Sequence, residues 1–161
     1  MHTTRIKVRG YHLDLYGHVN NARYLEFLEE ARWSCLETAV DLGELQRRGV
    51  GLVVVRIAID YRRPVGLGTV LRVESRMTRL GGKVGVMHQD VLNAANGELA
   101  AAADVTFMVI DLAHGKAVAI AGEIREHFAA LMDPEQQTAA EPSPDSEQPT
   151  DPDRPTNAEP R

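Results

Sequence analysis

Hydrophobic and polar positions change period once along the chain, from a helical repeat to strand-like repeats. Between Ala22 and Val40, apolar side chains recur every three or four residues, as on one face of an amphipathic helix. After Gly49 the chain is rich in β-branched residues, and Thr69–Thr78 alternates charged with apolar side chains, which indicates a half-buried strand. The pattern therefore predicts one long helix followed by a sheet.

Turn-forming residues divide the rest of the chain into elements. Strands are predicted over 5–9, 52–61, 69–78, 83–92 and 99–112, a short pairing segment over 117–120, and helices over 44–48 and 123–132. Gly81-Gly82, Asn96-Gly97 and His114-Gly115 mark turns between them. Asn20 or Asn21 is expected to cap the long helix, because its side-chain oxygen can accept from the free N–H groups of the first turn.

The order of strand, long helix and four or five consecutive strands predicts an α+β fold with an antiparallel sheet. A single amphipathic helix buries itself best when such a sheet curls around it, although the pattern alone supports only the α+β class. Leu52–Ile59 shows no clean alternation, so its outer face is expected to meet another dry surface. A partner subunit is the simplest covering, and we expect a homodimer or homotetramer.

Composition separates the body of the chain from its end. Residues 133–161 hold seven of the eight prolines and eight acidic residues against two arginines, which leaves residues 1–132 nearly neutral. A segment so poor in large apolar side chains cannot offset its ordering entropy, so we predict a disordered acidic tail after one domain over 1–132. The nearly neutral body provides no electrostatic argument for nucleic acid or a membrane surface as partner.

Further sequence features concern location and metal binding. Cys35 is the single cysteine, which rules out an internal disulfide and suits a reducing compartment. No signal peptide and no run of about eighteen apolar residues is found, so we expect a soluble, cytoplasmic protein. The six histidines are scattered without the spacing of metal ligands, and we expect no metal site.

The polar loop before the long helix carries the candidate chemistry. Asp14 precedes the positive end of that helix, whose unpaired N–H groups can stabilise negative charge on a carbonyl oxygen during acyl transfer. Gly17 lets the backbone approach a substrate closely, and Asp14 can attack the carbonyl or activate water. Each residue also has a structural interpretation: Asp14 as a turn residue, His18 as a hydrogen-bonding loop residue, and Asn20 and Asn21 as helix caps.

The segment Asp14-Leu-Tyr-Gly-His-Val-Asn-Asn-Ala-Arg-Tyr, followed by a helix carrying Ala-Arg, resembles the motif of 4-hydroxybenzoyl-CoA-thioesterase-like hotdog enzymes. Asp14, Gly17 and Tyr24 match its spacing. Together with Tyr61-Arg-Arg-Pro and Gly82-Lys83, the segment is most similar to that of bacterial long-chain acyl-CoA thioesterases. The likeness runs from about Thr4 to Leu131.

This resemblance implies a hotdog fold of about five antiparallel strands wrapped around one central helix. It also implies hydrolysis of a medium- to long-chain acyl-CoA, with Asp14 as nucleophile or general base. The N–H groups near Gly17 and at the start of the helix would polarise the thioester carbonyl, and His18 is a possible helper. The chain departs from the pattern at Asn21, where several relatives carry histidine, so that histidine's role does not transfer.

Five residues are expected to bind the substrate: Asn21, Tyr24, Arg62, Arg79 and Lys83. Coenzyme A carries phosphates, so cations are expected near the pocket mouth, and Lys83 resembles a position that contacts the nucleotide in relatives. The arginines can equally form a solvated face. No cofactor is expected, since coenzyme A is part of the substrate.

Other readings stay open at this level. The substrate can instead be an acyl-carrier-protein thioester or an aromatic acyl-CoA. A non-catalytic acyl-CoA-binding hotdog module is a third possibility, although such a sensor would be expected to lack the carboxylate of Asp14 or to bring a DNA-binding segment.

Overall fold

A computed structural model describes residues 1–132. It contains β1 (His2–Lys7), a 3-10 turn (Gly10–His12), α1 (Asn21–Leu36), α2 (Leu42–Arg47), β2 (Val50–Tyr61), β3 (Val70–Leu80), β4 (Val84–Asn93), β5 (Leu99–Asp111), β6 (Lys116–Ala117) and α3 (Gly122–Ala129). The predicted disordered tail, residues 133–161, lies outside the described residues. None of the helices within residues 1–132 is long and apolar enough to cross a membrane.

The predicted elements are present with shifted ends. The long helix ends at Leu36 rather than Val40. At this end the carbonyl of Cys35 accepts from the Thr38 hydroxyl over 2.7 Å and from the Thr38 N–H over 3.2 Å. At the other end Asn20 is the cap, its side chain accepting from the N–H of Ala22. The first strand begins at His2 instead of Arg5, because pairing with β3 extends to its first residue.

The six strands form one antiparallel sheet in the order β1-β3-β4-β5-β2, with β6 paired to the end of β5. The register shifts between Val54 and Arg56 in β2, between Met77 and Arg79 in β3, and within β4. Such bulges bend strands and increase their twist, which lets the sheet curl toward α1.

The core fills the space between α1 and the sheet. Residues of α1 (Tyr24, Phe27, Leu28 and Ala31) share a buried cluster with alanines of β5 (Ala100, Ala101 and Ala103). Small side chains on β5 leave room for the bulky helix face. A second cluster joins the end of α1 to β3, β4, β5 and α3 through Cys35, Met77, Met87, Phe107 and Phe128.

Strands β1 and β2 form the two edges of the sheet within residues 1–132, and β2 is the longer of them. Strand β2 pairs with β5 on one side, and no strand within residues 1–132 pairs with its other side. Val53, Val54 and Val55 on this edge are 40%, 41% and 51% exposed. A long, exposed, β-branched edge is a ready site for pairing with another strand.

Candidate functional site

The Asp14 carboxylate is held in a tight turn at one of its two oxygens. Oδ1 accepts from the backbone N–H of Tyr16 over 2.8 Å and from that of His18 over 3.2 Å. The Gly17 N–H donates to the Asp14 carbonyl over 3.1 Å, and Gly17 has a φ of +75°, which favours glycine. No hydrogen bond within residues 1–132 uses Oδ2 of Asp14. The turn therefore orients the carboxylate and leaves one oxygen available.

Backbone hydrogen bonds fasten this turn to the chain that follows β2. The N–H of Asp14 donates to the His18 carbonyl over 2.8 Å, and the N–H of Val19 donates to the Val65 carbonyl over 2.8 Å. His18 also forms an isolated β-bridge with Gly66. The carboxylate is thus positioned by contacts on both sides of the loop.

The first turn of α1 contributes a backbone donor. Asn20 satisfies two N–H groups: its side chain accepts from Ala22 and its carbonyl accepts from Arg23, each over 2.9 Å. The N–H of Asn21 takes part in no hydrogen bond within the described part of the chain. A free N–H at the positive end of a helix can hydrogen-bond a carbonyl oxygen that gains negative charge.

One depression of about 410 Å³ brings these groups together. Its lining combines a carboxylate, the start of a helix, two tyrosines and two arginines: Asp14, His18, Val19, Asn21, Tyr24, Tyr61, Arg62, Arg63 and Pro64. A depression with a free carboxylate oxygen, a backbone donor and cations suits an anionic substrate with a reactive carbonyl.

Two tyrosines form the aromatic side of the depression. The rings of Tyr24 and Tyr61 meet edge to face with centroids 5.4 Å apart. The Tyr61 hydroxyl donates to the carbonyl oxygen of Asn21 over 2.9 Å. Burial, and then the neighbouring Tyr61, raises the pKa of Tyr24 to about 12, and burial also raises the pKa of Tyr61. Both phenols are therefore protonated near neutral pH.

Arg62 and Arg63 lie on the solvent side of the depression. Arg62 contacts Asp60 over 3.1 Å and Arg63 contacts Glu98 over 3.8 Å, with arginine side chains 58% and 66% exposed. Exposed ion pairs of this kind contribute little to stability. Both guanidinium groups can therefore exchange these partners for a phosphate at little cost.

The structure gathers most of the predicted site residues but not all of them. Asp14, His18, Asn21, Tyr24 and Arg62 line one depression. Two places were predicted for the backbone donor: near Gly17 and at the start of the helix. Gly17 lies in the Asp14 turn with its N–H engaged, so the free N–H is the one at the helix start, on Asn21. The contact between His18 and Asp14 runs through the His18 backbone, and its imidazole forms no hydrogen bond within residues 1–132.

Arg79 and Lys83 lie elsewhere in this chain. Arg79 lines a separate depression of about 300 Å³ with Arg56, Thr78 and Thr106. Lys83 sits in the turn between β3 and β4. Neither lines the Asp14 depression, and their roles in binding coenzyme A stay predictions.

Sequence reasoning missed Tyr61 as a site residue. It stands at the end of β2 directly before the candidate Arg62, and the sequence pointed to Tyr61 only as part of the resemblance. It also missed an apolar groove of about 280 Å³ between α1 and β2, lined mainly by Trp33, Leu36, Leu52, Met87 and Phe107. Both depend on strand packing that no local pattern reveals.

Within residues 1–132, no group of three or more histidine, cysteine, aspartate or glutamate side chains could hold a metal ion. Residues 8–128 match the thioesterase-like superfamily. The chain belongs to the thioesterase-like superfamily. Its match spans α1 and most of the sheet, and it includes the Asp14 turn.

Two full-length relatives place this thioesterase-like chain among named enzymes. It is 50% identical over 129 residues to the long-chain acyl-CoA thioesterase FadM of Escherichia coli, covering 80% of this chain and 98% of that one. It is 31% identical over 120 residues to the acyl-CoA thioesterase YbgC of Haemophilus influenzae, covering 73% of this chain and 87% of the relative. The predicted thioester hydrolase is confirmed.

Solved structures agree with the superfamily assignment. The probable thioesterase YbaW of Escherichia coli matches with a TM-score of 0.75 at 46% identity, covering 81% of this chain and 98% of its own. The hypothetical protein TT1821 of Thermus thermophilus matches with a TM-score of 0.73 at 28% identity, covering 80% and 98%. The predicted α+β hotdog fold is confirmed.

Proposed function

We propose that this thioesterase hydrolyses medium- to long-chain acyl-CoA to a free acid and coenzyme A. One observation carries the proposal: the unengaged Oδ2 of Asp14 and the unengaged N–H of Asn21 belong to residues that line the same depression. The substrate class is supported by the 50% identity to a long-chain acyl-CoA thioesterase over nearly the whole of that relative.

The thioester carbonyl would bind with its oxygen at the Asn21 N–H and its carbon toward Asp14. By one route Oδ2 attacks the carbon, the C–S bond breaks, and the thiolate leaves; water then hydrolyses the mixed anhydride and regenerates the carboxylate. By the other route Asp14 takes a proton from water, whose oxygen attacks the carbon directly; the C–S bond breaks, and the leaving thiolate takes up the proton from Asp14. Both routes place negative charge on the oxygen beside the helix, where the N–H stabilises it.

The lining of the depression also indicates where the coenzyme A part of the substrate binds. Arg62 and Arg63 lie where phosphates of coenzyme A can replace Asp60 and Glu98 as their partners. The chemistry needs a carboxylate, a backbone donor and water, so we propose no cofactor. Arg79 and Lys83 do not line this depression, and we propose that they contact coenzyme A bound to another subunit.

We also propose that two copies pair through the open edge of β2. When two copies of β2 pair antiparallel about the middle of the strand, the Tyr61 end of one copy lies beside the Val50 end of the other. That pairing brings the Asp14 depression of one copy close to the apolar groove at Leu52 of the other, where an acyl chain can be buried. The free thiol of Cys35 suits the cytoplasm as location.

The first test is thiol release from acyl-CoAs of graded chain length by the wild type and by Asp14→Asn. The asparagine oxygen can still accept from Tyr16 and His18, so the turn should persist while kcat falls by about a hundredfold or more. Asp41→Asn is the matched control, because Asp41 caps α2 through its own Oδ1 far from the depression. Equal rates for wild type and Asp14→Asn would refute the catalytic assignment.

The same assay decides the substrate class. Fastest turnover of an aromatic acyl-CoA or a carrier-protein thioester would replace the fatty acyl-CoA assignment, and binding without any turnover would favour a non-catalytic module. A single turnover in ¹⁸O-labelled water tests the route through the mixed anhydride. Water that attacks the aspartyl carbon of the anhydride puts the label on Asp14 and leaves the first acid product unlabelled, whereas base catalysis labels the acid and leaves Asp14 unlabelled. An unlabelled acid with a labelled Asp14 therefore identifies attack by Asp14.

A further inference from the structure

His12 is a buried polar residue directly before the Asp14 turn. It is 7% exposed, and its ring packs edge to face between Tyr11 and Phe27 at centroid distances of 4.2 Å and 4.8 Å. Nδ1 of the ring accepts from the backbone N–H of Arg9 over 2.9 Å. A nitrogen that accepts carries no proton, so the ring is neutral with its proton on Nε2.

The same residue also binds the far end of the loop. Its carbonyl oxygen accepts from the N–H of Asn20, the cap of α1, over 2.9 Å. His12 thus ties Arg9, before the 3-10 turn, to Asn20, at the start of the helix. Asp14 and His18 both lie between these two attachment points along the chain, so the hydrogen bonds that form the Asp14 turn lie there too.

We propose that neutral His12 is a positioning residue, which holds the Asp14 carboxylate and the Asn21 N–H in their mutual arrangement and releases them when its ring is protonated. A protonated Nδ1 is a donor facing the donor N–H of Arg9, so that hydrogen bond is lost. The loop then loses one of the contacts that keep Asp14 beside the start of α1. The activity readout of this inference rests on the proposed function.

The charged and titratable groups around the ring favour the neutral form. Arg9 faces it from directly before the 3-10 turn and Tyr11 from within it. Arg23 and Glu26 face it from α1; Glu26 is the one anion among these groups and contacts Arg23 over 2.6 Å. Burial, followed by Arg23, lowers the pKa of His12 below its usual 6.5.

This shift gives the pH dependence a definite sign. A lowered pKa means that the folded chain binds fewer protons at His12 than the unfolded chain does. The stability that His12 contributes is therefore complete above pH 6.5 and is lost as the pH falls below that value toward the lowered pKa. Activity should therefore decrease as the pH drops through the lowered pKa, because the loop then loses the contact that His12 makes.

Two substitutions separate positioning from packing. His12→Asn keeps an oxygen acceptor for the Arg9 N–H and cannot be protonated, whereas His12→Leu keeps apolar bulk without an acceptor. We expect His12→Leu to lower kcat by about tenfold or more with little change in KM, because a small displacement of a reacting group costs that much. His12→Asn should recover most of kcat at about pH 8 and lack the acidic loss that we expect of the wild type below pH 6.5. His127→Asn, on α3, is the matched histidine control.

Amide hydrogen exchange tests the inference without activity. Protection of the Asp14, Val19 and Asn20 amides should fall between about pH 8 and pH 5 in the wild type and stay constant in His12→Asn. Thermal melts confirm that each variant is folded. A wild type that releases no thiol refutes the proposed function but leaves this measurement intact. The inference is overturned if protection is equal in all variants, if His12→Leu keeps the wild-type kcat, or if His12→Asn keeps the acidic loss.

Discussion

The hydroxyl of Tyr61 donates to the carbonyl oxygen of Asn21 over 2.9 Å, which joins the last residue of β2 to the first residue of α1. The bond spans forty positions of sequence and closes one side of the Asp14 depression. It fixes the helix start, where the free N–H lies, against the sheet. The position of that N–H therefore depends on a side chain outside the catalytic loop.

Tyr61→Phe should lower both stability and activity. Loss of this hydrogen bond is expected to cost about 0.5–1.5 kcal/mol of unfolding free energy. Because the start of α1 becomes less constrained, kcat should fall several-fold while the ring contact with Tyr24 persists. Urea unfolding and thiol release measure the two effects. Tyr16→Phe is the control, since the exposed Tyr16 hydroxyl has no partner within residues 1–132; an equal effect of both substitutions would contradict the assigned role.

Gly85→Ala should be destabilising although alanine is small. A Cβ at Gly85 would lie 2.3 Å from Cζ of Phe107, so the ring must move and repack against Phe128. We expect a loss of about 1–3 kcal/mol in a denaturant melt. Gly82→Ala, where a Cβ meets nothing within 4 Å, should leave stability nearly unchanged.

A second substitution identifies the cause. Phe107→Leu in the Gly85→Ala background should recover part of the loss, since the shorter side chain vacates the space of the new methyl group. Additive effects of the two substitutions would exclude this explanation. In the single Gly85→Ala variant, the displaced Phe107 ring should also narrow the apolar groove that it lines. Turnover of the longest acyl chains should then fall relative to that of short ones.

Gln89→Leu should destabilise the packing of α1 on the sheet. Gln89 is fully buried, and its amide donates to the Leu28 carbonyl over 3.0 Å and to Ser75 Oγ over 2.9 Å, while Arg32 donates to its oxygen. Leucine cannot form these hydrogen bonds, so the Leu28 carbonyl, Ser75 and Arg32 each lose Gln89 as a partner. We expect the unfolding free energy to fall by about 1–3 kcal/mol. Unfolding free energies measure the loss. Gln46→Leu, on the exposed face of α2, should change stability far less; similar values would show that burial of Gln89 is unimportant.

Cys35 should be nearly inert in the folded protein. Burial raises the pKa of its thiol to about 11, and the side chain is 1% exposed. Because the thiolate is the reactive form, an aromatic disulfide reagent at about pH 8 should label the native chain far more slowly than the urea-unfolded chain. As the single cysteine, Cys35 is the source of the whole signal. Equal rates in the two states would show that the second core cluster is open to solvent.

Local sequence was sufficient wherever the contacts are local. The Asp14 turn is made by hydrogen bonds to residues two and four positions ahead, and the Asn20 cap reaches two positions. Turn and cap chemistry of this range can be read from residue types alone. The early end of α1 was missed because apolar periodicity continues to Val40, whereas beyond Leu36 the regular helix gives way to turns with hydrogen bonds to the third residue back, as from Thr38 to Cys35.

Sequence by itself determined the α+β order of elements, the carboxylate before the long helix and, through the motif spacing, the thioesterase resemblance. Only the tertiary structure decided that Tyr61 closes the depression, that Arg79 and Lys83 lie outside it, and that the free donor is the Asn21 N–H. It also decided that β2 is an edge strand of the sheet within residues 1–132. The physical reason is that strand order and register come from pairing between distant segments, whereas periodicity reports only which face of each segment is buried.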